Sequence, residues 1–89
     1  MSESLWVARL LISDATVKKI DSLHHVTEEQ VREAVVCVAG LPYAWDDDPE
    51  RGLRALVEVT IGNRRVLIVL YPVDDPMGDV FALGSAYER

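Results

Sequence analysis

An α+β domain is predicted, in the order β-α-α-β-β-β, with a four-stranded, largely antiparallel sheet and both helices packed on one face. Two observations carry this reading. Residues 53–88 hold three apolar segments separated by two turn signals, Gly62-Asn63 and residues 74–79, which is the pattern of an antiparallel meander. Residues 27–40 carry a complete set of helix start and stop signals ahead of that meander.

Taken in order, residues 6–12 have the length and aliphatic content of a first strand, and Ser13 suits the start of a helix. Val17, Ile20 and Leu23 recur at three-residue steps while Lys18, Lys19 and Asp21 face elsewhere, which predicts a short amphipathic helix over residues 14–23. In the second helix Thr27 and Gln30 form a capping box, Val26 and Val31 occupy staple positions, and Glu28 and Glu29 suit the positive end of the helix dipole. Val31, Ala34, Val35 and Val38 make its inward stripe, with Cys37 read as a small buried residue in the same pattern. Gly40 and Pro42 stop it. Residues 41–52, with Pro42, Tyr43, Trp45, three consecutive aspartates and Pro49, read as an irregular connection long enough to be functional. Leu53, Ala55, Val57, Val59 and Ile61 then fall on one face of a strand, against Arg54, Glu58 and Thr60 on the other. Gly62-Asn63 allows a tight hairpin into residues 64–71, whose unbroken apolar run from Val66 to Leu70 marks a central strand. Pro72 ends it, and residues 80–87 form the last strand.

The 89 residues suffice for one small domain over residues 1–89, with shallow sites and no enclosed cofactor cavity. Nine Lys and Arg against fifteen Asp and Glu give a net charge of −6, the wrong sign for gripping nucleic acid by bulk electrostatics. Any phosphate site must be local. A single cysteine excludes an internal disulfide and suits a reducing compartment. No leader or membrane span is recognisable, so a cytoplasmic location is expected, with no membrane partner.

The topology resembles that of the RelE/ParE-like toxin superfamily of bacterial toxin–antitoxin modules, nearest its BrnT-like branch. The likeness rests on His25-Val26-Thr27-Glu28-Glu29 at the start of the second helix, on the strand Arg65-Val66-Leu67-Ile68-Val69-Leu70-Tyr71, and on Gly84-Ser85-Ala86-Tyr87-Glu88 at the end. It implies a toxin that cleaves messenger RNA without metal or cofactor on a basic concave sheet surface, neutralised by a cognate antitoxin. Tyr87 stands where an arginine usually follows the Ser-Ala pair, and the chain is acidic where such toxins are usually basic.

Metal-free RNA cleavage needs a base for the 2′-hydroxyl, a cation for the phosphorane and an acid for the leaving oxygen. Arg65 shares its strand parity with Leu67, Val69 and Tyr71, so Arg65, Tyr71 and Tyr87 are the candidate catalytic residues. Arg64 and Arg89 are candidate RNA contacts. The His24-His25 pair is the obvious group titrating near neutrality, but no set of partners completes a metal site around it. Asp46-Asp47-Asp48 lacks the spacing of a calcium loop and reads as a solvated acidic stretch that masks a basic site if it lies beside Arg51 and Arg54. Tyr43 and Trp45 are candidate partner-binding residues, and edge exposure with the aromatics Trp6 and Trp45 suits a homodimer or heterocomplex. Two function classes follow: a ribonuclease toxin, or a non-catalytic interaction domain of the same fold that binds a partner or homodimerises.

Overall fold

A computed structural model of the chain describes residues 5–74 and 76–88. The elements are β1 (Arg9–Leu11), α1 (Asp14–His24), α2 (Glu28–Val35), β2 (Tyr43–Asp48), β3 (Gly52–Ile61), β4 (Arg64–Pro72) and β5 (Val80–Glu88). The class is α+β, as expected, but the sheet has five strands, in the order β1-β5-β4-β3-β2. β1 runs parallel to β5, and every other neighbouring pair is antiparallel.

The additional strand is β2, which occupies the stretch read as an irregular connection and pairs with β3 from Tyr43↔Val57 to Asp48↔Gly52. Its period-two pattern, Tyr43 and Trp45 to one side and Asp46 and Asp48 to the other, is masked in the sequence by the intervening Asp47 and the flanking prolines. The turn that reverses it is built by Asp48, whose Oδ1 accepts from the backbone N–H of Glu50 at 2.9 Å and of Arg51 at 3.4 Å. Such a carboxylate mimics a backbone turn. Gly52, at φ +84°, completes the reversal.

α1 begins at Ser13, whose side chain accepts from the Thr16 N–H, and ends at His25 in the left-handed conformation. His25 N–H donates to the Asp21 carbonyl, the 5→1 bond of an αL cap, and Val26 N–H reaches back to that of Ile20, each at 3.1 Å. Ile20 and Val26, both fully buried, supply the apolar contact that accompanies such a cap and offset the cost of a positive φ at a histidine. The Thr27–Gln30 capping box then forms as its spacing predicts. α2 stops at Val35, five residues before Gly40. Val36 is extended and Cys37 sits at φ +57°, where its N–H donates to the Val7 carbonyl at 2.8 Å. Cys37 is therefore exposed rather than a buried helix residue, and Val38 meets the core from outside the helix. The β-branched pair Val35-Val36 suits this exit, because an extended backbone relieves side chains that crowd the preceding helical turn.

The first strand is also shorter than its sequence pattern. Only residues 9–11 pair with β5, while Leu5 and Val7 make isolated bridges to Leu41 and Val36 and enter the core. Ile20, Val31 and Val35 pack in one cluster with Ala55, Val57, Ile61, Val66, Ile68, Leu70, Phe81, Leu83 and Ala86. β4 lies centrally, as its apolar run predicts. Where β1 ends, α1 takes over the outer side of β5: Lys19 Nζ donates to the Gly84 carbonyl at 2.9 Å, and the His24 ring lies 5.9 Å from that of Tyr87. The helix so covers an edge that would otherwise be open. No helix among the described residues is long and apolar enough to cross a membrane.

Candidate functional site

Strand alternation and register place Ala44, Asp46, Asp48, Arg54, Leu56, Glu58, Arg65, Leu67, Tyr71 and Tyr87 on the face of the sheet turned away from the core. Two clusters form on it, at opposite ends of β4. At one end Arg54 bonds Asp46 at 2.7 Å and Asp48 at 3.4 Å. The bond to Asp46, with the Tyr71 hydroxyl next, holds the Arg54 proton more firmly than usual. Asp48 is held below the ordinary carboxylate range, first by the Glu50 N–H, against a smaller opposing effect of desolvation, with the Arg51 N–H and the two guanidinium groups adding to the lowering. The acidic run thus neutralises a neighbouring cation, as the sequence suggests for Arg54. Arg51 lies 6.0 Å from the centroid of the Tyr71 ring.

At the other end Tyr87 stands opposite Leu67, beside His24. Arg65 is 77% exposed and reaches Glu58 only loosely, at 3.9 Å. Arg64 is occupied structurally: its guanidinium donates to the carbonyls of His24, at 3.3 Å, and His25, at 2.8 Å, and pairs with Glu88 at 3.6 Å. Those carbonyls are orphan acceptors at the end of α1, so Arg64 ties the helix to the β3–β4 hairpin rather than facing a ligand. Arg65 and Tyr87 share this corner, but Tyr71 does not. It pairs with Ala82, four residues along β4 from Leu67, roughly 13 Å at about 3.3 Å per residue. The three candidate catalytic residues therefore share a face without converging on one point. Arg89 lies outside the described residues. His24 is the site residue that sequence spacing left unassigned, because only the path of α1 along β5 brings it to Tyr87.

The opposite face offers a different surface. Tyr43 and Trp45 point to the core side, where their neighbours across the ladder are Val57 and Ala55, but they lie at the margin of the core. Their rings meet edge to face at 5.9 Å. They line a groove together with Leu5, Trp6, Pro72, Met77 and Phe81. Trp6 is 43%, Trp45 45% and Met77 79% exposed, a concentration of large apolar side chains in water. Trp6 lies in the first-strand segment and Met77 in a turn, so although Trp6 and Trp45 both suit an interface, nothing local in the sequence brings the three together. The chain crossing from Leu5 to Val7 over the sheet does so. Among known proteins, no family, no curated protein and no solved structure matches this chain.

Proposed function

We propose that this chain is a protein-interaction domain whose working surface is the aromatic groove beside β2. The observation that carries this reading is the convergence of Trp6, Tyr43, Trp45 and Met77 around one groove, with both tryptophans more than two-fifths exposed. Exposed apolar clusters of this kind mark interaction sites, and buried tryptophans are frequent anchors of binding energy. The separation of Tyr71 from Tyr87 and the net charge of −6 weigh against catalysis on RNA. The test is capture from cells by the immobilised chain, compared with Trp6→Ala and Trp45→Ala. A specific partner retained by the parent and lost by both variants, each still folded by circular dichroism, supports the reading. Equal capture by all three overturns it.

A second reading, a toxin that cleaves messenger RNA and is silenced by an antitoxin, is favoured by one observation. The corner of His24, Tyr87, Arg65 and Glu58 gathers an imidazole, a phenol, a guanidinium and a carboxylate, groups suited to acid–base work on a phosphodiester. Induction of the chain in a bacterial host, alone and as the Arg65→Ala/Tyr87→Phe variant, tests it. Growth arrest by the parent and not by the variant supports this reading, and no arrest by either removes it.

A further inference from the structure

The outer edge of β2 combines a backbone pattern and a side-chain pattern on the same residues. Glu58 N–H donates to the Pro42 carbonyl at 3.3 Å, which makes Pro42 and Glu58 a hydrogen-bonded pair at the start of the β2–β3 ladder. Bonded and non-bonded pairs alternate from there along the register Tyr43↔Val57, Ala44↔Leu56, Trp45↔Ala55, Asp46↔Arg54, Asp47↔Leu53. Ala44, Asp46 and Asp48 consequently turn their N–H and C=O groups toward β3, while those of Tyr43, Trp45 and Asp47 point out of the sheet. β2 is the last strand on its side, so among the described residues these groups meet no further strand.

Tyr43, Trp45 and Asp47 also share the face that carries the groove, because residues two apart on a strand do. Asp47 is exposed, and its carboxylate has no ion pair among the described residues, in contrast to Asp46 and Asp48, which hold Arg54. Asp79 adds a second acid to the groove wall. The edge thus presents an apolar position at Trp45 and an unanswered negative charge at Asp47.

Resting on the interaction-domain reading, we infer that the β2 edge binds an extended, basic peptide segment of another protein by strand addition. Directly opposed residues of paired strands lie on the same face, so the peptide residue opposite Trp45 is apolar and enters the groove. The residue opposite Asp47, two positions away, is Lys or Arg. In the antiparallel alignment the segment reads basic-x-apolar-x-apolar from its N-terminus. A second copy of this chain fits less well. Trp45 set against its own symmetry mate leaves Asp47 opposite Tyr43 with no cation, and two chains of charge −6 repel.

The experiment uses capped synthetic peptides with the core Lys-Thr-Leu-Thr-Leu, read by amide hydrogen exchange and NMR titration of the full chain. The expected result is new protection at the amides of Tyr43, Trp45 and Asp47, with those of Ala44, Asp46 and Asp48 protected already. Glu in place of Lys, or N-methylation of the Leu opposite Trp45, lowers affinity by about tenfold or more, whereas N-methylation of the intervening Thr, whose N–H points away, leaves it unchanged. Equal binding of the Lys and Glu peptides overturns the charge rule, and equal binding of the N-methyl-Leu peptide overturns strand addition; in both cases the groove still binds peptide and the interaction reading survives. Protection of the Tyr43, Trp45 and Asp47 amides in the free chain, with a doubled mass in solution, assigns the edge to a second copy and overturns the inference. No binding of any peptide to a monomeric chain, joined to equal capture by the tryptophan variants, overturns both.

Discussion

The ring of Tyr71 lies against the backbone of Gly84, close enough that a Cβ on that glycine would fall 2.9 Å from Tyr71 Cδ2, inside the ring's van der Waals boundary. Gly84 is the extra residue of a bulge: Val69 pairs with Ser85 and Leu70 with Leu83, which leaves it unmatched, and its carbonyl accepts from Lys19. The bulge, the helix contact and the ring therefore meet at one residue that has no side chain to give way.

Gly84→Ala is expected to destabilise the fold by about 1–3 kcal/mol through overpacking. Because the clash is with one ring, Tyr71→Ala should remove most of the penalty of Gly84→Ala. A double-mutant cycle by urea denaturation measures the coupling, which should exceed about 0.5 kcal/mol. Additive effects would show that the glycine is required by the bulge backbone instead.

Val35 is fully buried at the end of α2, within the cluster that includes Val57 and Val66. Val35→Asp places a carboxylate there without a partner, and a loss of about 3–5 kcal/mol is expected, much of the stability of so small a domain. Thermal unfolding followed by circular dichroism reads it. Near-parental stability would mean that α2 does not seal the core.

How much of this was legible follows the range of the interactions involved. The Thr27–Gln30 box and the Gly62-Asn63 hairpin are decided within four residues, so their spacing revealed them. β2 was hidden because its strand character depends on Val57, Ala55 and Leu53 lying opposite, while three aspartates and two prolines locally suggest a loop. Cys37 left its helical pattern for a reason equally remote, a backbone bond to Val7. The shared parity of Arg65 and Tyr71 places both on one face, yet parity fixes a face and not a distance along it, and the register with β5 puts Tyr71 and Tyr87 at opposite ends. Trp6, Tyr43 and Trp45 are legible as interface aromatics, but their meeting in one groove is not, since Trp6 and Met77 reach it from distant parts of the chain.

Acid should loosen the β2–β3 turn before it unfolds the core. Asp48 has its carboxyl held below the ordinary range, chiefly by the Glu50 N–H. A group depressed in the folded state contributes stability that is present above its unfolded value, about pH 4, and is lost as the pH falls through the folded value. Protection of the Glu50 and Arg51 amides, exchange measured against the intrinsic rate at each pH, should therefore fall below about pH 4, and Asp48→Asn should weaken this pH dependence. Exchange there that follows pH no differently in Asp48→Asn would remove Asp48 from the turn.

Trp45→Ala should separate binding from folding. The indole is 45% exposed and pairs edge to face with Tyr43, so the fold loses that pair, about 0.5–1.5 kcal/mol, together with the burial of the covered half of the indole. Binding depends on it differently, because in the complex the exposed half of the indole also leaves water, and truncation of such an anchor costs about 2 kcal/mol or more. A folded variant with a modestly lower melting temperature and at least about thirtyfold weaker affinity for the Lys peptide is the expected outcome. Asp47→Lys, a substitution at an exposed strand position, should leave the melting temperature nearly unchanged and still repel that peptide. If Trp45→Ala lowers stability as much as Val35→Asp, the indole belongs to the core and the groove is part of the fold rather than a surface held open for a partner.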